Sequence, residues 1–306
     1  MKNLTPVIIF FLILVGAGGL FFWRWSDVQN QTLPNTVDVA TTIFPLYDIT
    51  RNIAGDILKV GLILPPGASP HTYNATPSDI LTVSNASAIY AIGHGLDDWS
   101  DVIITSIGAE KVIVDNDIDM RQTEELFGKD LEENKIEFGD DDPHYYLNIY
   151  NAKQITQTIA ADLSARYPEH APVFAQNALE YLSKLSDVEQ EIQTLLAPIE
   201  NKSIITMHDA WYYFAGEYEL FIVGSFEPTA GREPTPAYLA QLSMLAKTSR
   251  IQTLYSEPQL DNTTLVSFLR DNNLTLAILD PLGGVEGRAS YIETMLYNAK
   301  TIANNQ

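Results

Sequence analysis

The sequence of 306 residues contains no cysteine, and this absence excludes several classes of protein. A disulfide framework, a cysteine-ligated zinc ribbon, an iron–sulfur cluster and a thiol nucleophile all require cysteine. A bacterial lipoprotein is excluded as well, because its lipid is attached to a cysteine. Any metal site in this chain must therefore be built from imidazole and carboxylate groups.

Positive charge is also scarce. The chain has 18 lysines and arginines against 39 aspartates and glutamates, so its formal net charge at pH 7 is −21. We expect no binding to nucleic acid or to an anionic lipid surface, because a phosphate-binding face would oppose the overall field. Residues 115–142 alone hold 12 acidic and 3 basic side chains. This segment is interpreted either as a solvated loop or as an electrostatic funnel for cations.

The common sequence motifs of nucleotide-binding proteins and hydrolases are missing too. The chain has no G-x-x-x-x-G-K-[ST], no G-x-G-x-x-G, no G-x-S-x-G and no H-E-x-x-H. These motifs supply phosphate cradles, an activated serine or a catalytic zinc site. We therefore predict that the protein is not an enzyme.

The N-terminal segment is the one long apolar run. Residues 4–23 carry no charge, and about 20 apolar residues suffice to span a bilayer. We predict that residues 1–25 form an uncleaved signal-anchor. A cleaved signal peptide is the alternative, because residues 15–17 are small enough for a cleavage site. Residues 26–36 are polar and are interpreted as a tether, so everything that follows is predicted to be exported.

Strand-like runs alternate with amphipathic helical stretches along the exported part. Eight runs fit buried strands: 37–44, 58–64, 86–92, 111–114, 203–207, 220–223, 253–256 and 274–279. Such alternation favours parallel sheets that are covered by helices on both faces. We therefore predict an α/β fold with two lobes, each containing a mostly parallel four-stranded sheet.

A long helix is predicted between the two lobes. Residues 169–199 carry apolar side chains at helical spacing, and a helix of this length would be roughly 45 Å long. It suits a rigid connection better than a flexible hinge. The predicted organisation is an N-terminal lobe over residues 37–168, the linking helix over 169–199 and a C-terminal lobe over 200–306.

Candidate metal ligands lie at the predicted strand ends. His71 is in a loop that leaves a strand, and His208 and Asp280 follow strands directly. Ligands of open α/β sheets bind outside the carboxyl ends of the strands. His144 follows the acidic segment, in D-P-H. Consecutive residues of this set are 64 to 73 positions apart. This spacing is far wider than in a structural zinc loop and predicts a site in the cleft between the lobes. Three imidazoles and one carboxylate suit zinc, and less selectively manganese or iron(II).

Three other residues have weaker claims to a role. His94 follows a strand and is flanked by glycines, so it is either a structural residue or a residue of the cleft rim. His170 lies at the start of the long helix and is expected to face solvent. Glu257 ends a strand, where its carboxylate could accept a hydrogen bond from a ligand imidazole.

The chain resembles a known family at these same residues. The segments LPPGASPHTYNATPSD, DPHYYLNIYNA, TMHDAWYYFA, YSEPQLDN and LDPLGG resemble those of the ZnuA-like or TroA-like solute-binding proteins of ABC importers, which capture zinc or manganese outside the membrane. The resemblance implies two α/β lobes joined by one long helix. It also implies four metal ligands, His71, His144, His208 and Asp280, in which histidine at the third position favours zinc.

The resemblance also implies a function and a location. We expect capture of a divalent metal, with zinc favoured, and its delivery to an ABC permease. The expected protein is a monomer in the periplasm or at the outer face of the cytoplasmic membrane, held by its N-terminal segment. The alternatives are a manganese or iron(II) carrier of the same type, a zinc-dependent hydrolase, and a metal-bearing adhesin.

The sequence departs from the family pattern in three places. The region before His144 is acidic rather than histidine-rich, His94 stands where the family commonly has asparagine, and the usual lipid anchor is missing. The first departure leaves open whether the acidic segment collects cations. The second leaves open whether His94 is an accessory ligand.

Overall fold

The computed structural model describes residues 37–122, 141–227 and 234–306. Residues Val37–Gln306 form one compact unit. The predicted signal segment, the predicted tether and most of the acidic segment lie outside the described residues. Within the described ranges, no helix combines the length and the apolar character that a membrane crossing requires.

The first half of the chain builds a parallel four-stranded sheet. Its strands are β1 (Val39–Thr41), β2 (Val60–Leu62), β3 (Ala88–Ala91) and β4 (Glu110–Ile113), in the order β2-β1-β3-β4. The two central strands, β1 and β3, are completely buried. The intervening helices are α1 (Phe44–Ala54), α2 (Pro77–Thr82) and α3 (Asp101–Ile107). Helix α1 has a proline in its first turn and ends at Gly55, whose φ of 58° suits glycine.

The second half repeats this plan with a second parallel sheet. Its strands are β5 (Ser203–Thr206), β6 (Phe221–Ser225), β7 (Thr253–Ser256) and β8 (Thr275–Ile278), in the order β6-β5-β7-β8. The linking helices α4 (Ile149–Arg166) and α5 (Ala171–Leu196) precede this sheet. Its own helices are α6 (Tyr212–Glu217), α7 (Pro236–Thr248), α8 (Leu265–Asn272) and α9 (Tyr291–Asn305). The predicted α/β class with two four-stranded parallel sheets is confirmed.

Helix α5 ties the two halves together. Its 26 residues make it roughly 39 Å long, and a single face is buried: Phe174, Ala178, Tyr181, Leu185, Val188, Ile192 and Leu196. These positions are three or four residues apart, as expected for one side of an α-helix. The helix packs against α1 of the first half, against the preceding linking helix α4 and against α9 of the second half. The long helix between the lobes is thus confirmed, while the domain boundaries at 37, 169 and 200 stay predictions.

The strand order explains where ligands can gather. In each sheet the second strand along the chain lies on one side of the first strand, and the third and fourth strands lie on its other side. The connections at the two central strands therefore leave in opposite directions, and a crevice opens at the carboxyl ends of these strands. His71 follows β2, His208 follows β5 and Asp280 follows β8. The fold thereby brings the exits of distant strands toward a shared region.

Candidate metal centre

Three of the predicted ligands meet in the structure. His71, His144 and His208 each offer one nitrogen, and these nitrogens all lie within 4.8 Å of one another. Nε2 of His71 is 3.3 Å from Nε2 of His144. The three ring centroids are 5.3 to 5.4 Å apart. Residues that are widely separated in sequence therefore form one tight cluster of imidazoles.

His144 is held by the turn that carries it. It lies in the 3₁₀ turn Pro143–Leu147, which is entirely buried. Oδ1 of Asp142 accepts a hydrogen bond of 3.0 Å from the His144 backbone N–H and lies 2.8 Å from its Nδ1. A carboxylate at this distance favours the tautomer with the proton on Nδ1. Nε2 of His144 is then left with its lone pair facing the other imidazoles.

His208 is held in a similar way by Glu257. Nδ1 of His208 lies 2.6 Å from Oε1 of Glu257, and the same oxygen accepts a 3.0 Å hydrogen bond from Nε1 of Trp211. His208 and Glu257 are both buried. Among the described residues, neither Nδ1 nor Nε2 of His208 makes a hydrogen bond of regular geometry, so the contact of Nδ1 with Glu257 is close but not well aligned. Glu257 thus contacts a candidate ligand imidazole at the position where the sequence suggested an acceptor.

Burial and crowding perturb the pKa values of the cluster. Burial lowers the pKa of His71 well below its usual value, and the neighbouring His144 and His208 lower it further. Burial also lowers the pKa of His208, but the charge of Glu257 and its contact with the ring outweigh this effect, so the pKa is raised overall. Burial raises the pKa of the adjacent Asp209 to about 6, against the opposing effects of His208 and His144. His71 therefore stays neutral and keeps a nitrogen lone pair for a cation.

Asp280 is the fourth predicted ligand. Its carboxylate oxygens are not among the ligand atoms that lie within 4.8 Å of one another. Its Oδ1 accepts three hydrogen bonds of 3.0 Å, from Nε2 of Gln259 and from the backbone N–H groups of Leu282 and Gly283. Its Oδ2 lies 2.8 Å from Nε of Arg288. The side chain is almost completely buried. Its role as a metal ligand therefore stays a prediction.

A small cavity opens at the three histidines. Its volume is about 10 Å³, which is room for the centre of about one water molecule. The residues that line it are Ser69, Pro70, His71, His144, Tyr146, His208, Glu257, Gln259, Leu260, Pro281 and Leu282. A space of this size fits a single ion.

His94 has a different environment from the cluster. Its backbone is in the left-handed region, with φ of 53°. Its Nε2 lies 3.0 Å from Oδ2 of Asp115, and its Nδ1 lies 3.4 Å from Oδ2 of Asp141. His94 therefore joins the two ends of the acidic segment. The other histidine outside the cluster, His170, has a side chain that is 38% exposed.

Sequence reasoning missed two residues that contact the predicted ligands. Asp142 is two positions before His144, and the order D-P-H could have indicated a side chain that accepts from the following backbone N–H. Arg288 contacts Asp280 from a turn after β8. Nothing in the local sequence indicates that this arginine turns back toward Asp280.

Comparison with known proteins gives this architecture a family context. Residues 39–305 match the family model described as "Zinc-uptake complex component A periplasmic". The chain is 27% identical over 305 residues to the manganese-binding lipoprotein MntA of Halalkalibacterium halodurans, covering 97% of this chain and 96% of that protein. It is 26% identical over 310 residues to the zinc-binding protein AdcA of Streptococcus pyogenes, covering 95% of this chain. The chain spans 60% of the length of that second relative.

Solved structures share the fold. A zinc-bound deletion mutant of ZnuA superposes with a TM-score of 0.77 at 24% sequence identity. The similarity covers 89% of this chain and 98% of that structure. At this identity the likeness concerns the fold alone, so the chemistry of the site must be argued from the residues of this chain.

Proposed function

Because the chain belongs to the family of periplasmic zinc-uptake components, which bind solutes and are not enzymes, we propose that it captures one divalent transition metal outside the cytoplasm. Zinc is the favoured cargo. The loaded protein delivers the ion to the ABC permease of a metal importer. The predicted kinship with the ZnuA-like solute-binding proteins is confirmed, and it supplies the premise for this proposal.

One observation carries the proposal: three imidazoles meet at a cavity that is large enough for a single ion. Nitrogen donors from His71, His144 and His208 lie within 4.8 Å of one another. Zinc is commonly bound by imidazole nitrogens at about 2.0 to 2.1 Å, so small movements of the side chains would bring all three into contact with one ion. Capture would then need no chemical step.

Each of the four proposed ligands contributes one atom to the metal site. His144 and His208 bind the ion through Nε2, because Asp142 and Glu257 contact their Nδ1 atoms. His71 supplies a third nitrogen and is kept neutral by its low pKa. Asp280 supplies a carboxylate oxygen as the fourth ligand, which would complete a tetrahedral zinc site.

The choice of zinc rests on the donor set. Imidazole nitrogens suit zinc, whereas manganese binds most readily through carboxylate, carbonyl and water oxygens. A manganese carrier remains the alternative, since one relative is named as manganese-binding and another as zinc-binding. A metal-dependent hydrolase fits poorly, because the matching family is described as a component of zinc uptake.

The finer aspects of location belong to the same proposal. Residues 1–25 would hold the protein at the outer face of the cytoplasmic membrane. The protein would act as a monomer. Lobes of about 37–168 and 200–306 would close on the ion with small adjustments, because α5 packs against elements of both halves.

Replacing two of the histidines tests the proposed function. The variants His71→Ala and His208→Ala each remove one proposed ligand, and His170→Ala is the matched control because His170 is partly exposed and outside the cluster. Native mass spectrometry in zinc-buffered solution is expected to find one zinc per wild-type and control chain. Each ligand variant should bind at least about a hundredfold more weakly. Unchanged zinc binding in both ligand variants would refute the capture function.

A further inference from the structure

Arg288 is the cationic side chain that contacts the predicted fourth ligand. Its Nε lies 2.8 Å from Oδ2 of Asp280, and it is itself only 17% exposed. Its guanidinium carbon lies 4.5 Å from the centroid of the Tyr297 ring. A buried carboxylate and a stacked guanidinium therefore form a charge pair at Asp280, whose chain neighbours Pro281 and Leu282 line the cavity at the histidines.

The backbone around Arg288 builds this contact. The Gly284 N–H donates to the carbonyl of Arg288 at 2.8 Å, and the Arg288 N–H donates to the carbonyl of Val285 at 2.9 Å. These bonds close a tight turn that brings Arg288 back toward Asp280. The pair is thus fixed by the fold rather than by a chance meeting of two long side chains.

The two oxygens of Asp280 are held differently. Oδ1 is fixed by three hydrogen bonds from Gln259, Leu282 and Gly283, whereas Oδ2 is contacted by Arg288. Among the described residues, the Arg288 Nε–H has no aligned hydrogen-bond acceptor, so its contact with Oδ2 is mainly one of charge. Oδ2 is therefore the oxygen that can exchange its cationic partner while Oδ1 stays in place.

We propose that Arg288 competes with the cargo ion for Oδ2 of Asp280 and thereby makes the site selective for zinc over manganese. This inference rests on the proposed function. Zinc is held mainly by the three imidazole nitrogens, so its binding depends less on the carboxylate of Asp280. Manganese depends more on carboxylate oxygen, so a carboxylate that is partly neutralised by a guanidinium weakens manganese binding more than zinc binding.

Arginine is suited to this role because its charge is constant. The guanidinium stays protonated at every physiological pH, so the competition does not depend on proton concentration. The imidazoles, in contrast, lose affinity for metal as the pH falls. Selectivity and pH dependence therefore reside in different residues and can be measured separately.

The variant Arg288→Gln tests the proposal. The matched control is Arg270→Gln, because Arg270 is 75% exposed and pairs with Asp271. Dissociation constants for zinc and for manganese are measured by competition with chelators of known affinity. Removing Arg288 should strengthen manganese binding about tenfold and zinc binding less than about threefold. The control should leave the ratio of the two constants unchanged.

A second pair of variants tests whether Arg288 acts through Asp280. In the background Asp280→Asn, the further change Arg288→Gln should no longer alter the ratio, because the carboxylate for which the two cations compete is gone. The variant Arg288→Lys, which keeps the charge, should keep most of the wild-type selectivity. It also serves as the informative variant if Arg288→Gln fails to fold.

The outcomes separate this proposal from the function on which it rests. If the wild type binds zinc through its histidines but Arg288→Gln leaves the ratio within about twofold, only the role of Arg288 is wrong. The same conclusion holds if Arg288→Gln changes the ratio of the two dissociation constants equally in the wild-type and Asp280→Asn backgrounds. The arginine would then act by repelling the metal ion and not through the carboxylate of Asp280. If the wild type binds neither metal through the histidines, both proposals are overturned.

Discussion

The contact between Glu257 and His208 makes a quantitative prediction about the metal centre. The change Glu257→Gln keeps the shape of the side chain and an acceptor oxygen but removes the negative charge. That charge lies 2.6 Å from Nδ1 of His208, where it fixes the tautomer and raises the basicity of the opposite nitrogen. Loss of such a partner weakens metal binding about 10- to 100-fold. Because Trp211 also donates to the same oxygen, we expect a value near the lower end, about tenfold, or roughly 1.4 kcal/mol.

The same variant should change the pH dependence of zinc binding. Although burial alone would lower the pKa of His208, Glu257 raises it overall, so in the wild type protons compete with zinc at a comparatively high pH. Removing the charge lowers this pKa, and zinc affinity should then persist to lower pH. The variant should therefore bind zinc more weakly than the wild type at neutral pH. As the pH falls, its zinc affinity should decrease less than that of the wild type.

Chelator competition at a series of pH values measures both effects. The variant Glu169→Gln is the control, because Glu169 is 65% exposed and lies outside the metal centre. The control should follow the wild-type curve throughout. The reasoning fails if Glu257→Gln weakens zinc binding less than about twofold at neutral pH and leaves the pH dependence where it was. A purely structural role for Glu257 would lower thermal stability without moving the pH curve.

Two further variants report on neighbouring carboxylates. Asp142→Asn removes the charge that lies 2.8 Å from Nδ1 of His144, and we expect about tenfold weaker zinc binding by chelator competition; affinity equal to the wild type would show that His144 needs no such partner. The variant Asp209→Asn tests how the folding stability of the metal-free protein depends on pH. Burial raises the pKa of Asp209 to about 6, above its unfolded value of about 3.9, so the folded state binds the extra proton and stability falls as the pH rises through about 4 to 6. The variant should remove this decrease and gain about 2 kcal/mol in urea unfolding of the metal-free protein at pH 7; an unchanged pH profile would contradict this assignment.

The fold was largely predictable because its signals are local. Strand-length apolar runs and helical spacing depend on neighbouring residues, so the eight predicted strands correspond to the observed strands within a few positions. The chain leaves α4 and enters α5 through a 3₁₀ turn that begins at Pro168, a residue that cannot continue a helix. The meeting of His71 and His208 was also within reach, because parallel sheets place strand exits at one edge, whereas His144 follows no strand and was assigned to the site by its spacing and by the family resemblance.

The parts that sequence could not supply depend on contacts between distant segments. His94 joins Asp115 to Asp141, and that requires both ends of the acidic segment to return to one place. The pairing of Asp280 with Arg288 depends on a turn after β8. Neither arrangement has a local sequence pattern. Whether the acidic segment gathers cations also stays a prediction, because residues 123–140 lie outside the described part of the chain.

The charges around the histidines account for a preference for divalent ions. Asp142 and Glu257 each contact the Nδ1 side of one imidazole, while the charge of Asp280 is balanced by Arg288. The charges of Asp142 and Glu257, together with that of the adjacent Asp209 where it is ionised, are thus uncompensated next to the imidazoles, and an ion of charge +2 offsets two of them. Buried charges are costly unless they are paired. A metal-free site should instead draw a proton, and the net upward shift in the pKa of His208 agrees with this. A divalent ion offsets more of this negative charge than a monovalent ion does, and it displaces that proton.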